Sequence, residues 1–212
     1  EAFVQEVLAG RLGAKAVVAG AHHPNLELLR ACGGQYGFDV VESKVILEDG
    51  APVTAQRAQA ALLAGDLVTA GRLMGHPYTV YGTVVAGKQL GRTIGQPTAN
   101  VDFVPNKLLP PDGSYVTMTT LDGVRRVGLA HVGRRPTVDS FSYKTVENFV
   151  MDFSGNLYGK KIPVELHRFI RPVQKFNGLD EVKAQVAKDV AAIRDYIDSL
   201  KEAPHPQRGQ TP

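Results

Sequence analysis

Between Tyr78 and Ile170 the chain runs through the segments YTVYGTVVAG, GSYVTMTTLDG, VRRVGLAHVG, KTVENFVMDF and KIPVELHRFI, all rich in β-branched and aromatic residues. Gly, Pro and Asp turns separate them. Short strands spaced this closely leave unpaired edges unless the sheet closes on itself, so the pattern predicts a small antiparallel barrel. Beyond it, Leu179, Val182, Val186, Val190 and Ile193 recur every three or four residues, which predicts a helix from Gly178 to about Lys201 packed on the barrel. The tail APHPQRGQTP carries no apolar stripe and reads as disordered.

The first part of the chain has a different rhythm. Phe3, Val7, Leu8 and Leu12 fall at helical spacing, and Ala16-Val17-Val18-Ala19-Gly20 reads as a short buried strand. A second helical stretch around Leu26, Leu28 and Leu29 ends near Gly33-Gly34, and Phe38-Asp39-Val40-Val41 opens a second strand. Two further helices are expected over Ala55–Leu63 and Leu67–Met74. This is part of an α/β layer with a parallel sheet. Two strands cannot make such a sheet complete, so either a longer chain or another subunit of a homo-oligomer is expected to finish it. The expected division is residues 1–75 for this partial α/β domain, 76–202 for the barrel and helix, and 203–212 for the tail.

Composition narrows the function classes. Of 212 residues, 43% are hydrophobic, enough for a buried core, and the net charge of +3 comes from 24 basic and 21 acidic residues spread along the chain. No clustered basic face or motif marks a nucleic-acid partner. The single cysteine, Cys32, forbids an internal disulfide, and the six histidines show no ligand spacing that would mark a zinc site. No apolar run approaches the roughly 20 residues that span a bilayer. Together these features predict a cytoplasmic protein with no membrane partner.

The stretch Gly82 to Asn100, GTVVAGKQLGRTIGQPTAN, places glycines where phosphate could be held. Gly82 and Gly87-Lys88 meet most of the P-loop spacing, but Gln89 stands where Ser or Thr must carry a hydroxyl to magnesium. Gly91, Gly95 and Pro97 also interrupt any helix starting at Lys88. A P-loop is excluded.

The same stretch resembles the signature of riboflavin kinases, including the kinase module of bacterial bifunctional riboflavin kinase/FMN adenylyltransferases, the FAD synthetases. PPDGSYVT resembles the family's Pro-x-x-Gly-Val-Tyr segment, VGRRPTV its Gly-x-x-Pro-Thr segment and TVENFVMDF its glutamate-bearing strand. NLYGKKI and FIRPVQKF follow in family order, so the likeness covers about Tyr78 to Leu200.

The resemblance implies an α+β chain whose second part is a six-stranded antiparallel β-barrel with a C-terminal helix. Its function would be phosphorylation of riboflavin by ATP, with magnesium, to give FMN and ADP. It implies Glu147 as catalytic base, and Thr98 and Asn100 as the groups that place magnesium and ATP. The glycine-rich flap over the nucleotide would be Gly87, Gly91 and Gly95, with Arg92 a phosphate contact. Tyr158 falls where the family contacts nucleotide, and Arg171 where it lines the flavin site.

The chemistry suits these residue types. Phosphoryl transfer is mostly positioning and charge neutralisation, and glycines let backbone N–H groups approach phosphate oxygens. Magnesium prefers hard oxygen ligands and keeps several waters, so a hydroxyl and an amide carbonyl suffice beside ATP. A carboxylate is then free to take the proton of the attacking hydroxyl.

Gln96, Ser114 and Val138 depart from the family pattern and bear on substrate fit rather than on phosphoryl transfer. The first part of the chain faintly resembles the end of the FMN adenylyltransferase module. Ala21-His22-His23 replaces its Glu-Asp-Phe, and Gln59 replaces the second arginine of its Ser-Ser-Thr-Arg-Ile-Arg segment while Arg57 keeps the first. The reading is an incomplete Rossmann-like nucleotidyltransferase segment without FAD synthesis of its own. The alternatives are a fragment of a bifunctional FAD synthetase and a non-catalytic flavin- or nucleotide-binding regulator.

Overall fold

A computed structural model describes residues 1–21, 23–87, 98–136 and 142–202. The chain divides into two units, Glu1–Thr54 and Ala55–Pro212.

In the first unit, β1 (Ala16–Gly20), α1 (Leu26–Tyr36) and β2 (Asp39–Ser43) form a parallel β-α-β crossover in which Val18 lies opposite Val41. Its small core gathers Val4, Ala19, Leu29, Cys32 and Phe38. The first helix differs from expectation. Residues Val4–Arg11 wind as a π-helix, in which the Leu12 N–H reaches back five residues to the Val7 carbonyl. Only Val4 in it is buried, while Phe3 and Leu12 are exposed, so their helical spacing does not become a core stripe. Val18 and Val41 are exposed on the sheet's open face. A short hairpin, β3 (Leu47–Glu48) with β4 (Ala51–Pro52), follows and was not legible in the pattern.

The second unit begins with α2 (Ala55–Leu63) and α3 (Leu67–Met74). Asp66 caps α3 by accepting from the Thr69 N–H at 3.0 Å, which holds the Asp66 carboxyl below its usual pKa. Leu62, Leu67 and Ala70 join the barrel's core cluster. Packing therefore groups these helices with the barrel, although sequence pattern placed them with the α/β part.

Six antiparallel strands close the barrel in the order β10-β5-β6-β9-β8-β7. They are β5 (Tyr78–Val85), β6 (Thr98–Phe103), β7 (Gly113–Leu121), β8 (Val124–Pro136), β9 (Ser142–Val150) and β10 (Lys161–Pro172). Strand alternation sends Val80, Val101, Tyr115, Val132, Val146 and Val164 into the interior, all at most 5% exposed. At its centre Asn148 accepts from the Thr117 hydroxyl at 2.7 Å and donates to the Thr119 hydroxyl at 3.1 Å. Two one-residue bulges interrupt β10, between Leu166 and Arg168 and between Phe169 and Arg171. Helix α4 (Leu179–Glu202) runs as its apolar spacing predicts. Arg171 to Asp189 and His167 to Tyr196 tie it to β10.

Candidate functional site

Because Val146, Asn148 and Val150 fill the barrel, Glu147 between them faces outward. Strand register then decides its neighbours. Glu147 lies directly opposite Asn100 of β6 on one side and His131 of β8 on the other. His131 lies opposite Ser114 of β7, which lies opposite Arg171 of β10. Directly opposed residues of antiparallel strands share a face, with Cβ atoms about 5 Å apart. Asn100, Glu147, His131, Ser114 and Arg171 thus form one belt across five strands on the outside of the barrel.

Strand β6 presents Thr98 and Asn100 on this same face, two residues apart. Gly87 meets them from the end of β5. A Cβ there would lie 2.0 Å from Asn100 Nδ2, so the backbone of Gly87 rests on the Asn100 amide, where a side chain would not fit. Gly91, Arg92 and Gly95, expected in the flap, lie outside the described residues. Tyr158 is 41% exposed on the β9–β10 connection. That connection is fastened to β5 by the Gly159 N–H donating to the Val84 carbonyl at 2.9 Å.

Arg171 is engaged structurally. Its Nε donates to Asp189 Oδ1 at 2.9 Å and its Nη2 to Oδ2 at 2.8 Å, while Nη1 reaches the Pro172 carbonyl at 3.3 Å. Asp189 is 1% exposed and also accepts from Gln185 at 2.9 Å. Near the belt, Asp112 pairs with Lys144 at 3.0 Å and with Arg134 at 3.8 Å, and Lys144 also donates to the Pro110 carbonyl at 2.7 Å.

Sequence reasoning missed His131 and the burial of Ser114. Burial pushes the His131 imidazole below its usual pKa, against the upward pull of Glu147. Arg171 also lowers it, while Asp112 and Asp189 raise it. The only signal was position, since His131 immediately precedes the VGRRPTV segment. Among the described residues no group of three or more His, Cys, Asp or Glu side chains is placed to hold a metal ion. The hard oxygens of Thr98 and Asn100 are the donors at hand, a set that fits magnesium completed by water and phosphate.

Residues 74–197 match the family model Flavokinase: Riboflavin kinase. The chain is 34% identical over 209 residues to the bifunctional riboflavin kinase/FMN adenylyltransferase of Escherichia coli (strain K12), covering 95% of this chain and 66% of that one. It is 32% identical over 199 residues to the protein of the same name from Pseudomonas fluorescens, covering 91% of this chain and 64% of that one. The chain thus spans slightly less than two thirds of these relatives. A crystal structure described as a macrolide-efflux protein from Streptococcus pneumoniae superposes with a TM-score of 0.68 at 30% identity, over 76% of this chain and 53% of that one. The family model covers more than half of the chain, including every residue of the outer belt, and on that ground the chain belongs to the riboflavin kinase family.

Proposed function

We propose that this chain transfers the γ-phosphoryl group of ATP to the 5′-hydroxyl of riboflavin, giving FMN and ADP. The observation that carries the reading is the direct cross-strand pairing of Glu147 with Asn100. It puts a carboxylate beside the amide that Gly87 approaches most closely. Glu147 accepts the proton of the attacking hydroxyl. Thr98 and Asn100 would hold magnesium, which would neutralise phosphate charge when bound.

Arg171 lines the flavin side with what its ion pair leaves over. Of the five N–H donors of a guanidinium, Asp189 and Pro172 engage three through Nε, Nη2 and Nη1, so two stay available to a ligand. Tyr158 and the segment containing Arg92 belong to the nucleotide side of this reading. The kinase module starts near residue 74, where the family match begins, with α2 and α3 as its packing support. The adenylyltransferase-like stretch, residues 1–75, does not adenylylate FMN by itself. Arg57 has no second arginine at Gln59 to help bind an α-phosphate and a leaving pyrophosphate.

The test is riboflavin-dependent ADP release with ATP and magnesium, with FMN and FAD separated by chromatography and Glu147→Gln run in parallel. FMN without FAD, lost in the variant, supports the reading. Flavin binding without turnover makes the chain a binding protein, and FAD formation overturns the assignment of residues 1–75.

A further inference from the structure

We propose that His131 is a positioning residue for Glu147: its imidazole orients the carboxylate from the neighbouring strand and takes over the proton that Glu147 removes from the substrate alcohol. This rests on the riboflavin kinase reading of the site.

The geometry is set by three strands. His131 is the direct cross-strand partner of Glu147 on one side and of Ser114 on the other. Ser114 is small and 2% exposed, so the imidazole has a buried floor beside it. Its other support is Gly133, where a Cβ would stand 3.0 Å from His131 Nε2 and 3.3 Å from Cδ2. The ring lies over that glycine. Asn100 and its metal-binding role stay two strands away, on the far side of Glu147, at about 10 Å.

The charges around the ring come from every packed element. Glu147 faces it from β9, Arg171 from β10, Asp112 from the turn into β7 and Asp189 from α4. Burial and Arg171 favour the neutral ring, which carries one N–H donor and one nitrogen with a lone pair. A neutral imidazole is the form that can receive a proton from a carboxylic acid beside it.

The transfer balances without any further reagent. The O–H bond of the 5′-hydroxyl breaks and its proton goes to the Glu147 carboxylate, while its oxygen bonds to the γ-phosphorus. The bond from that phosphorus to the bridging oxygen breaks, and its electron pair leaves on ADP. The proton then passes from Glu147 to the open nitrogen of His131 and on to water, restoring both groups.

The experiment follows the His131 ring proton by NMR titration in the wild type and in Glu147→Gln, and the pH profile of kcat in the wild type and in His131→Asn. The expected results are a His131 titration moved to lower pH by E147Q, and an H131N kcat about tenfold lower with its acid limb changed and KM for ATP and riboflavin within about twofold. A His131 titration indifferent to E147Q overturns the proposal, as does an H131N profile that superimposes on the wild type after scaling. The titration needs neither turnover nor a histidine variant that folds. A wild type that forms no FMN would instead remove the kinase reading while leaving the coupling of the two residues measurable.

Discussion

The Thr117 hydroxyl donates to Asn148 Oδ1 at 2.7 Å inside the barrel, one residue away from Glu147 on its outer face. Holding Asn148 inward holds Glu147 outward, because successive residues of a strand take opposite faces. Asn148→Leu strands the Thr117 and Thr119 hydroxyls in a space with no other hydrogen-bond partner for them among the described residues. Stability should fall by about 2–4 kcal/mol, read as a lower urea midpoint at unchanged slope, and activity should fall with it. Gly128→Ala should act similarly, since its Cβ would meet the Phe149 carbonyl at 2.4 Å and Thr117 Oγ1 at 2.8 Å.

Glu147→Gln keeps the shape of the belt and removes the base. Turnover should drop by about 10²–10⁴-fold with KM for ATP nearly unchanged, measured by steady-state kinetics. An unchanged kcat would place the base elsewhere.

Gly87→Ala separates positioning from chemistry. The added methyl would overlap the Asn100 amide, so KM for ATP should rise while the urea midpoint stays near that of the wild type. The same KM in both proteins would show that the Asn100 amide does not act on the nucleotide.

The pair of Arg171 with Asp189 is predicted to anchor α4. Arg171→Met leaves Asp189, 1% exposed, with Gln185 as its remaining side-chain donor among the described residues, and should cost about 3 kcal/mol. Asp189→Asn should cost less, because an amide needs no counter-charge. A double variant less destabilised than the sum of the two, in denaturant melts, would confirm the coupling.

Stability should depend on pH through His167 as well as His131. His167 lies between Glu165, at 3.0 Å, and Tyr196, at 3.3 Å, and burial pushes it below its usual pKa against the pull of Glu165. The unfolded chain takes up protons near the ordinary value of 6.5, whereas the folded chain resists until lower pH. More protons on the unfolded state mean that stability is full above 6.5 and declines as pH falls toward the folded values. The Tm of the wild type should therefore drop between about pH 7.5 and about pH 5.5, and His167→Gln should show a smaller drop.

Local signals in the sequence located the elements. Helices α2, α3 and α4 fall at or within a residue of the spans that their spacing predicts, because capping and apolar period are written in neighbouring residues. The barrel followed from the strand spacing. The neighbours of Glu147 were not legible, since Asn100 and His131 reach it through register, and a shift of one residue would have turned Glu147 inward. The partner of Arg171 lies 18 residues on, in a helix whose apolar spacing predicts packing on the barrel but not which polar residue meets Arg171. Packing of α2 against the barrel was likewise hidden, because Leu62 looks the same in a helix of either unit.

The two bulges of β10 make the outcome of a deletion depend on which residue is lost. Each admits one unmatched residue, and together they bring Arg171 opposite Ser114, where an unbroken ladder would have set Phe169. Removing a paired residue, Arg168 or Phe169, while both bulges stand would set Arg171 opposite Tyr115 and turn the guanidinium toward the apolar interior, away from Asp189. Removing His167 and Ile170, the two unmatched residues, would leave a plain ladder with Arg171 still opposite Ser114. The same one-residue deletion is therefore absorbed at a bulge position and disruptive at a paired one, a distinction that a loop does not make.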